Sequence, residues 1–299
     1  MDAEQLGSWE GEDVSIGMIE PRLAELRHRD DGDPAELRTS VMTHIAWVPQ
    51  EWEQAAAVTR SGLGARHPSR AIVLYPRPDA GSDRIDARVT VEAYGLPGLE
   101  RHVSAEVIEL WLCGNRCVDP ASIAAPLLMA DLPVFLRWRG RPTFSGAGFE
   151  RLLELVDRLI VNSAEWRDVP GAYAEAAAVF GRAACSDIAW RRTERWRASA
   201  ARLWPEIAEA TELTVTGPAA EAYLIAGWLR SRLDVDLELK HEEAESLERM
   251  TAGETPVPEP AGDEPTPSDL LAAELDLLQR DRVYEAAAEA ACQLAPLAA

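Results

Sequence analysis

A chain of 299 residues, of which 47% are hydrophobic and 27% charged, is long enough for a sizeable core and predicts two folded domains. Its 51 Asp and Glu residues outnumber 30 Lys and Arg, which gives a formal net charge of −21. Such a charge repels phosphate groups, so nucleic acids and anionic membranes are not expected as partners. We expect a cytoplasmic protein, because no apolar run is long enough to span a membrane and the acidic N-terminus does not resemble a signal peptide.

The first half of the chain predicts an N-terminal α/β domain. Residues 1–15 are polar and acidic and are expected to be a disordered tail, and the domain is expected to span residues 16–165. Helices alternate in this range with strands, several of which are apolar throughout, as in a layered sheet. Helices are predicted at Ile19–Arg27, Pro49–Gly64 and Phe149–Val156, and strands at Arg38–Pro49, Ala71–Pro76, Arg84–Gly95, His102–Gly114, Val134–Trp138 and Arg158–Asn162.

A second, smaller α/β domain is predicted over residues 166–240. A strand at Leu213–Gly217, a helix at Pro218–Leu233 and a strand at Val235–Lys240 follow in βαβ order. Residues 241–268 are rich in Pro and acids, so they are expected to form a disordered linker. Residues 269–299 are expected to form a C-terminal helical segment. The predicted fold class is therefore α/β, with two layered domains containing mixed sheets.

The segment Ser186–Ile207 carries three tryptophans in the length of one helix. At about 100° per residue, Trp190, Trp196 and Trp204 fall on one face, which predicts a helix packed against a core. Pro205 is expected to close this helix, because it has no N–H to continue the hydrogen-bond ladder.

Arg191, Arg195 and Arg202 converge on the opposite face of the predicted tryptophan helix. Ser186 or Asp187 can cap its first turn. Two interpretations of the arginines stay open: they are simply solvated, or they form a contact surface, which Arg frequently does.

Sequence motifs for catalysis are weak. Gly62–His67 lacks the third glycine of a dinucleotide fingerprint and precedes a strand, and the five histidines lack ligand spacing. No cofactor or metal is therefore expected.

Cys113 and Cys117 form an isolated Cys-x-x-x-Cys, for which two reduced thiols are favoured over a redox pair. His67, Ser69 and Arg70 form a loop that could hold a phosphate, or in which Arg70 could instead form an internal salt bridge.

Five blocks occur in order: HPSRAIVL, Glu106 with Ile108 and Leu110, PLLMADLPVFLRW, SDIAWRRTERWR and LIAGWLRSRL. Together they resemble the glucose-6-phosphate dehydrogenase assembly protein family, called OpcA, from about Arg38 to Leu239. The resemblance departs at Ser104-Ala105-Glu106, where relatives tend to have Cys-x-Glu. It also departs after Lys240, where relatives carry more strand-like sequence.

The resemblance implies a non-catalytic partner that promotes assembly and activation of glucose-6-phosphate dehydrogenase in actinobacteria and cyanobacteria. The alternatives are a phosphosugar-binding module or enzyme that uses the His67–Arg70 loop, and a scaffold for another partner. The candidate partner-binding residues are Arg191, Arg195, Arg202, His67, Ser69, Arg70, Arg137, Trp138 and Asp187.

Overall fold

The computed structural model describes residues 4–28, 36–37, 40–61, 63, 67–95 and 102–295. The chain divides into two compact units. Unit 1 consists of Met1–Ile160 and Pro267–Leu278, and unit 2 of Val161–Thr266 and Gln279–Ala299. Both contain mixed sheets and helices, which confirms the predicted α/β class. The division differs from the predicted domain limits, because the C-terminal helical segment contributes one helix to each unit.

In unit 1 the strands and helices alternate along the chain. The strands are β1 Glu4–Gly11, β2 Glu36–Leu37, β3 Thr43–Trp47, β4 Arg70–Arg77, β5 Ile85–Gly95, β6 His102–Cys113, β7 Val134–Trp138 and β8 Arg158–Val161. The helices are α1 Ile19–His28, α2 Glu53–Ser61, α3 Pro120–Ala124, α4 Ala147–Leu153 and, from the distant segment, α9 Pro267–Leu275.

The sheet of unit 1 runs in the order β1-β5-β6-β4-β3-β7-β8, with β2 beside β6. The β1-β5-β6 part is antiparallel, and the part from β6 through β8 is parallel. Every residue of β7 is buried, as expected for a central parallel strand covered on both faces.

One expectation for unit 1 is corrected. The tail predicted at residues 1–15 contains β1, which pairs with β5 from Glu4 to Gly11. This pairing is non-local, so the composition of the tail does not reveal it. In β6 the register with β4 and β5 is regular at the neighbouring residues Val107 and Ile108. Both residues are buried, so β6 is covered on both faces.

In unit 2 a small sheet packs with a set of helices. The strands of this sheet are β10 Glu212–Thr216, β11 Glu238–Glu242, β12 Arg249–Ala252 and β13 Thr255–Pro256, and β9 Ala184–Asp187 is a further strand of the unit that lies outside this sheet. The helices of the unit are α5 Val169–Ala177, α6 Ile188–Arg192, α7 Glu194–Ala201, α8 Ala219–Leu233 and α10 Arg282–Ala291. The four C-terminal strands have the order β11-β10-β12-β13, with β11 parallel and β12 antiparallel to β10.

The helices α8 and α10 approach closely at Gly227. A Cβ atom built there would overlap the carbonyl oxygen of Ala287, so a larger residue does not fit without movement of a helix.

The expected linker at residues 241–268 is also corrected, because it contains β12 and β13. Met250 and Ala252 alternate inward along β12 and are buried, and Val257 follows as a further buried residue. Three apolar side chains spaced in this way are enough to attach an otherwise polar segment to a sheet.

The predicted tryptophan helix is two helices. The hydroxyl of Thr193 donates to the carbonyl of Trp190 at 2.7 Å, a local bond that competes with the helical ladder, and α6 ends at Arg192. α7 then ends at Ala201, before Pro205. Among the described residues, no helix is long and apolar enough to cross a membrane.

Candidate partner-binding surface

Two of the three tryptophans lie in the core of unit 2. Trp190 and Trp196 are buried, which confirms the prediction for these two positions. The indole N–H of Trp190 donates to the Asp281 carboxylate at 2.9 Å, and the Arg197 guanidinium lies over the ring with its Cζ 3.3 Å from the centroid. Burial lowers the pKa of Arg197 to about 10, and Asp281 opposes this effect. The indole ring of Trp190 therefore holds the junction of α6 and α7 in place through its contacts with Asp281 and Arg197.

The third tryptophan was placed wrongly. Trp204 lies in the turn after α7 and its surface is 64% exposed. The helical phase that put it with Trp190 and Trp196 is lost, because the helix is interrupted at Thr193 and ends at Ala201. Arg202 precedes it in the same turn, is also exposed, and has no ion-pair partner within the described residues. A solvent-facing Trp beside a cation is typical of a protein contact.

The other two arginines of the predicted stripe have internal partners. Arg195 donates from Nη1 to the carbonyl of Asp263 at 2.7 Å and from Nη2 to the carbonyls of Gly262 and Ala261. Arg191 pairs with Glu194 one turn later, at 3.0 Å. The stripe is therefore not a continuous solvent-facing row, and only Arg202 retains the predicted exposure.

In the His67–Arg70 loop, the guanidinium group of Arg70 is paired with carboxylates of this chain. Arg70 is buried, donates from Nε to Glu106 at 2.8 Å, pairs with Glu20 and also donates to the Leu127 carbonyl at 2.9 Å. This is the internal salt bridge that the sequence left open, and it leaves the guanidinium little capacity for a phosphate. Ser69 is half-buried, and His67 is buried with Nδ1 3.9 Å from the Asp276 carboxylate.

Three further candidate contacts lie in the interior and are corrected on that ground. Arg137 is 2% exposed, and Trp138 is buried in a stack with Trp47 at a centroid distance of 4.9 Å. Asp187 is fully buried and its Oδ1 accepts from the backbone N–H groups of Ala189 and Ser163, both at 2.9 Å. The predicted helix cap is thus confirmed for Asp187. None of the three is accessible to a partner in this conformation.

The cysteine pair consists of free thiols. Cys113 is buried, and Cys117 donates to the carbonyl of Leu112 at 2.8 Å. Burial raises the pKa of Cys117 above its usual value, which lowers its thiolate fraction and its reactivity.

The chain matches two domain models of one family. Residues 61–178 match the model described as the glucose-6-phosphate dehydrogenase subunit N-terminal domain, and residues 183–262 match the corresponding C-terminal domain. Together they cover more than half of the chain, in the expected order. The chain belongs to the OpcA family. The predicted resemblance is thereby confirmed, and the second match extends through β12 and β13, which the sequence had assigned to a linker.

Two curated relatives carry the provisional name of an OxPP cycle protein, OpcA. The one from Nostoc punctiforme is 26% identical over 187 residues, which are 58% of this chain and 39% of that protein. The one from Synechocystis is 24% identical over 185 residues, which are 57% of this chain and 38% of the relative. The match therefore spans about two fifths of the length of these OpcA relatives.

Proposed function

We propose that this chain is a non-catalytic partner of a cytoplasmic glucose-6-phosphate dehydrogenase, which it binds and activates, thereby promoting NADPH formation. The observation that carries the proposal is the ordered match to both domains of the OpcA family, whose models are described as parts of a glucose-6-phosphate dehydrogenase subunit. The names of two relatives mention the OxPP cycle, which is consistent with this proposal.

Activation by such a partner requires differential binding. A protein that does no chemistry raises the activity of an enzyme only if it binds the active state more tightly than the inactive one. A difference of 1.4 kcal/mol between the two affinities changes the ratio of the states about tenfold. The chain therefore needs a surface with a few strong contacts rather than a reactive group.

We place the centre of that surface at the turn after α7. Trp204 and Arg202 are exposed, and both belong to the residue types that dominate interface energies. Charge reversal at Arg202 brings like charges together if the enzyme presents a carboxylate there, and such a contact costs several kcal/mol. The buried candidates Arg70, Arg137 and Trp138 are left out of the proposed surface.

The test is a titration into the cognate dehydrogenase with NADPH formation as the readout. We expect the parent to raise the rate, and Arg202→Glu combined with Trp204→Ala to require at least about tenfold more protein for half-maximal activation. Arg232→Glu is a matched control, because Arg232 is also exposed, lies near the end of a helix in unit 2 and has no ion-pair partner within the described residues.

The outcomes separate the partner from the surface. Equal activation by the double variant would remove the turn from the interface and leave the partner in place. A folded parent that neither binds the dehydrogenase nor changes its rate would contradict the function itself. Turnover of a sugar phosphate by the parent alone would favour the competing enzyme hypothesis.

A further inference from the structure

Unit 1 contains an internal cavity, lined by both apolar and polar side chains, that the proposed function does not use. It lies between α2 and the face of the sheet formed by β3, β4 and β7, and Leu271 of α9 contributes to its wall. Its volume is about 30 Å³, which exceeds the 10–15 Å³ or so that a single water molecule needs. The polar side chains that line it are His44, Thr59, Arg60, Tyr75, Arg137 and Arg139.

A polar atom without a partner points to a ligand in this cavity. His44 is 9% exposed, and its Nε2 is buried with no hydrogen-bond partner. An unpaired buried nitrogen is unfavourable, because it has given up its hydrogen bonds to water without gaining others. Burial, followed by the charges of Arg137, His67 and Arg139, lowers the pKa of His44 to about 4. The imidazole is thus neutral at pH 7, and its single N–H can donate from Nε2.

The electrostatic environment of His44 is positive. The charged groups with the largest effects on its pKa are cations, namely Arg137, the protonated form of His67 and Arg139. Arg139 is held in place by a bond from Nη2 to the Thr59 hydroxyl at 2.8 Å. An acceptor that carries negative charge is therefore favoured at Nε2 over a neutral one.

The solvent side of the cavity carries the nearby carboxylates. The side chain of Arg60 is 31% exposed and lies 3.5 Å from Glu92 and 3.9 Å from Glu109. Glu109 also accepts from the hydroxyl of Tyr75 at 2.9 Å. These acids interact with Arg60 and Tyr75. Arg60 also lines the cavity, so an anion that reaches its guanidinium has to compete with Glu92 and Glu109.

We propose that this cavity binds the anionic oxygens of a single phosphate or carboxylate group, which accept from His44 Nε2 and interact with the guanidinium groups of Arg60, Arg137 and Arg139. The volume of about 30 Å³ admits one or two oxygen atoms of the anionic group and excludes a whole sugar. A larger ligand therefore has to leave its remaining atoms outside, on the side of Arg60. This site is separate from the His67–Arg70 loop, where Arg70 is engaged by Glu20 and Glu106.

The test is calorimetric titration of the full chain with inorganic phosphate, acetate and glycerol 3-phosphate, at an ionic strength held constant with sodium chloride. We expect saturable binding of at least one oxyanion, with a melting temperature that rises with its concentration. His44→Leu and Arg60→Gln should each weaken binding at least about tenfold, a loss of 1.4 kcal/mol. Arg88→Gln should bind as the parent does, because Arg88 pairs with Glu10 and Glu109 and does not line the cavity.

A spectroscopic readout separates the site from a general effect of salt. In the parent, the bound anion should raise the pKa of His44 and shift the NMR resonance of its Nε2, and both changes should be weaker in Arg60→Gln. Binding of phosphate and glycerol 3-phosphate would identify the phosphate group of an ester as a ligand, and binding of phosphate alone would identify the free ion. No saturable binding, or equal binding by all variants, would overturn the proposal.

Discussion

Units 1 and 2 each bury an ionisable side chain whose pKa is shifted, a base in unit 1 and an acid in unit 2. In unit 1, His44 is surrounded by the cations Arg137, Arg139 and His67. In unit 2, Glu221 is 1% exposed and faces another buried carboxylate, Asp187, with Arg192 as its ion-pair partner.

Burial favours the neutral form of both groups, so the two pKa values move in opposite directions. The pKa of His44 falls to about 4, while desolvation raises the pKa of Glu221 to about 7, against the opposing effect of Arg192. The two units should therefore lose stability at opposite ends of the pH range. Unit 1 becomes less stable in acid and unit 2 becomes less stable toward neutral pH.

The largest expected effect is the acid sensitivity of unit 1. Below pH 6.5 the unfolded chain protonates His44 and the folded chain does not, so the free energy of unfolding falls as the pH drops from 6.5 to about 4. That difference corresponds to roughly 3 kcal/mol. His44→Leu should remove this dependence, as measured by urea unfolding at several pH values in buffers free of phosphate and carboxylates. A parent and variant with parallel pH profiles would contradict the assignment.

A smaller effect of opposite sign is expected from Glu221. The folded chain keeps this carboxyl protonated between pH 4.5 and about 7 while the unfolded chain ionises it, so this contribution to stability is fully present below pH 4.5 and lost as the pH rises through 7. The two pKa values allow roughly 3 kcal/mol, but the side chain of Arg192 is 34% exposed and solvent screens the pair, so we expect about 2 kcal/mol.

Glu221→Gln tests this contribution, because it removes the titration and keeps the shape of the side chain. Between pH 4.5 and 7 its free energy of unfolding should rise with pH by about 2 kcal/mol more than that of the parent, because the His44 contribution is no longer offset by Glu221. If the parent gains stability over this interval after the His44 contribution is subtracted, unit 2 does not bury Glu221 in the way described.

Sequence patterns predicted the local features of both units. The strands β4 and β7 follow from unbroken apolar runs, and the Asp187 cap follows from a short acidic side chain before a helix. Patterns failed where distant segments decide the outcome. Arg137 is a charged residue within a strand, and it is buried because other elements cover that face of the sheet. The strand β1 forms because it pairs with β5, which is about 80 residues away in the chain.

The cavity and the exposed turn were missed for the same reason. His44 carries no motif, and only its neighbours in β7 and in the loop before β4 make its environment cationic. Trp204 looked like a core residue because one continuous helix was assumed, and the Thr193 hydroxyl interrupts that helix. The sequence signal for this break is the internal threonine itself, because its hydroxyl can bond to a carbonyl in the preceding turn.

The smallest expected effect is that of the exposed turn on stability. Trp204 and Arg202 are exposed, so Trp204→Ala with Arg202→Glu should change the free energy of unfolding by less than about 0.5 kcal/mol at pH 7. Trp196→Ala is the matched control, because that ring is buried in the same unit and its removal should cost about 3–5 kcal/mol. A large loss in the turn variant would mean that Trp204 supports the fold, and a weaker activation of the dehydrogenase could no longer be assigned to a lost contact. A small loss would mean that Trp204 and Arg202 contribute little to folding, so that a weaker activation by the variant reports a lost contact with the dehydrogenase.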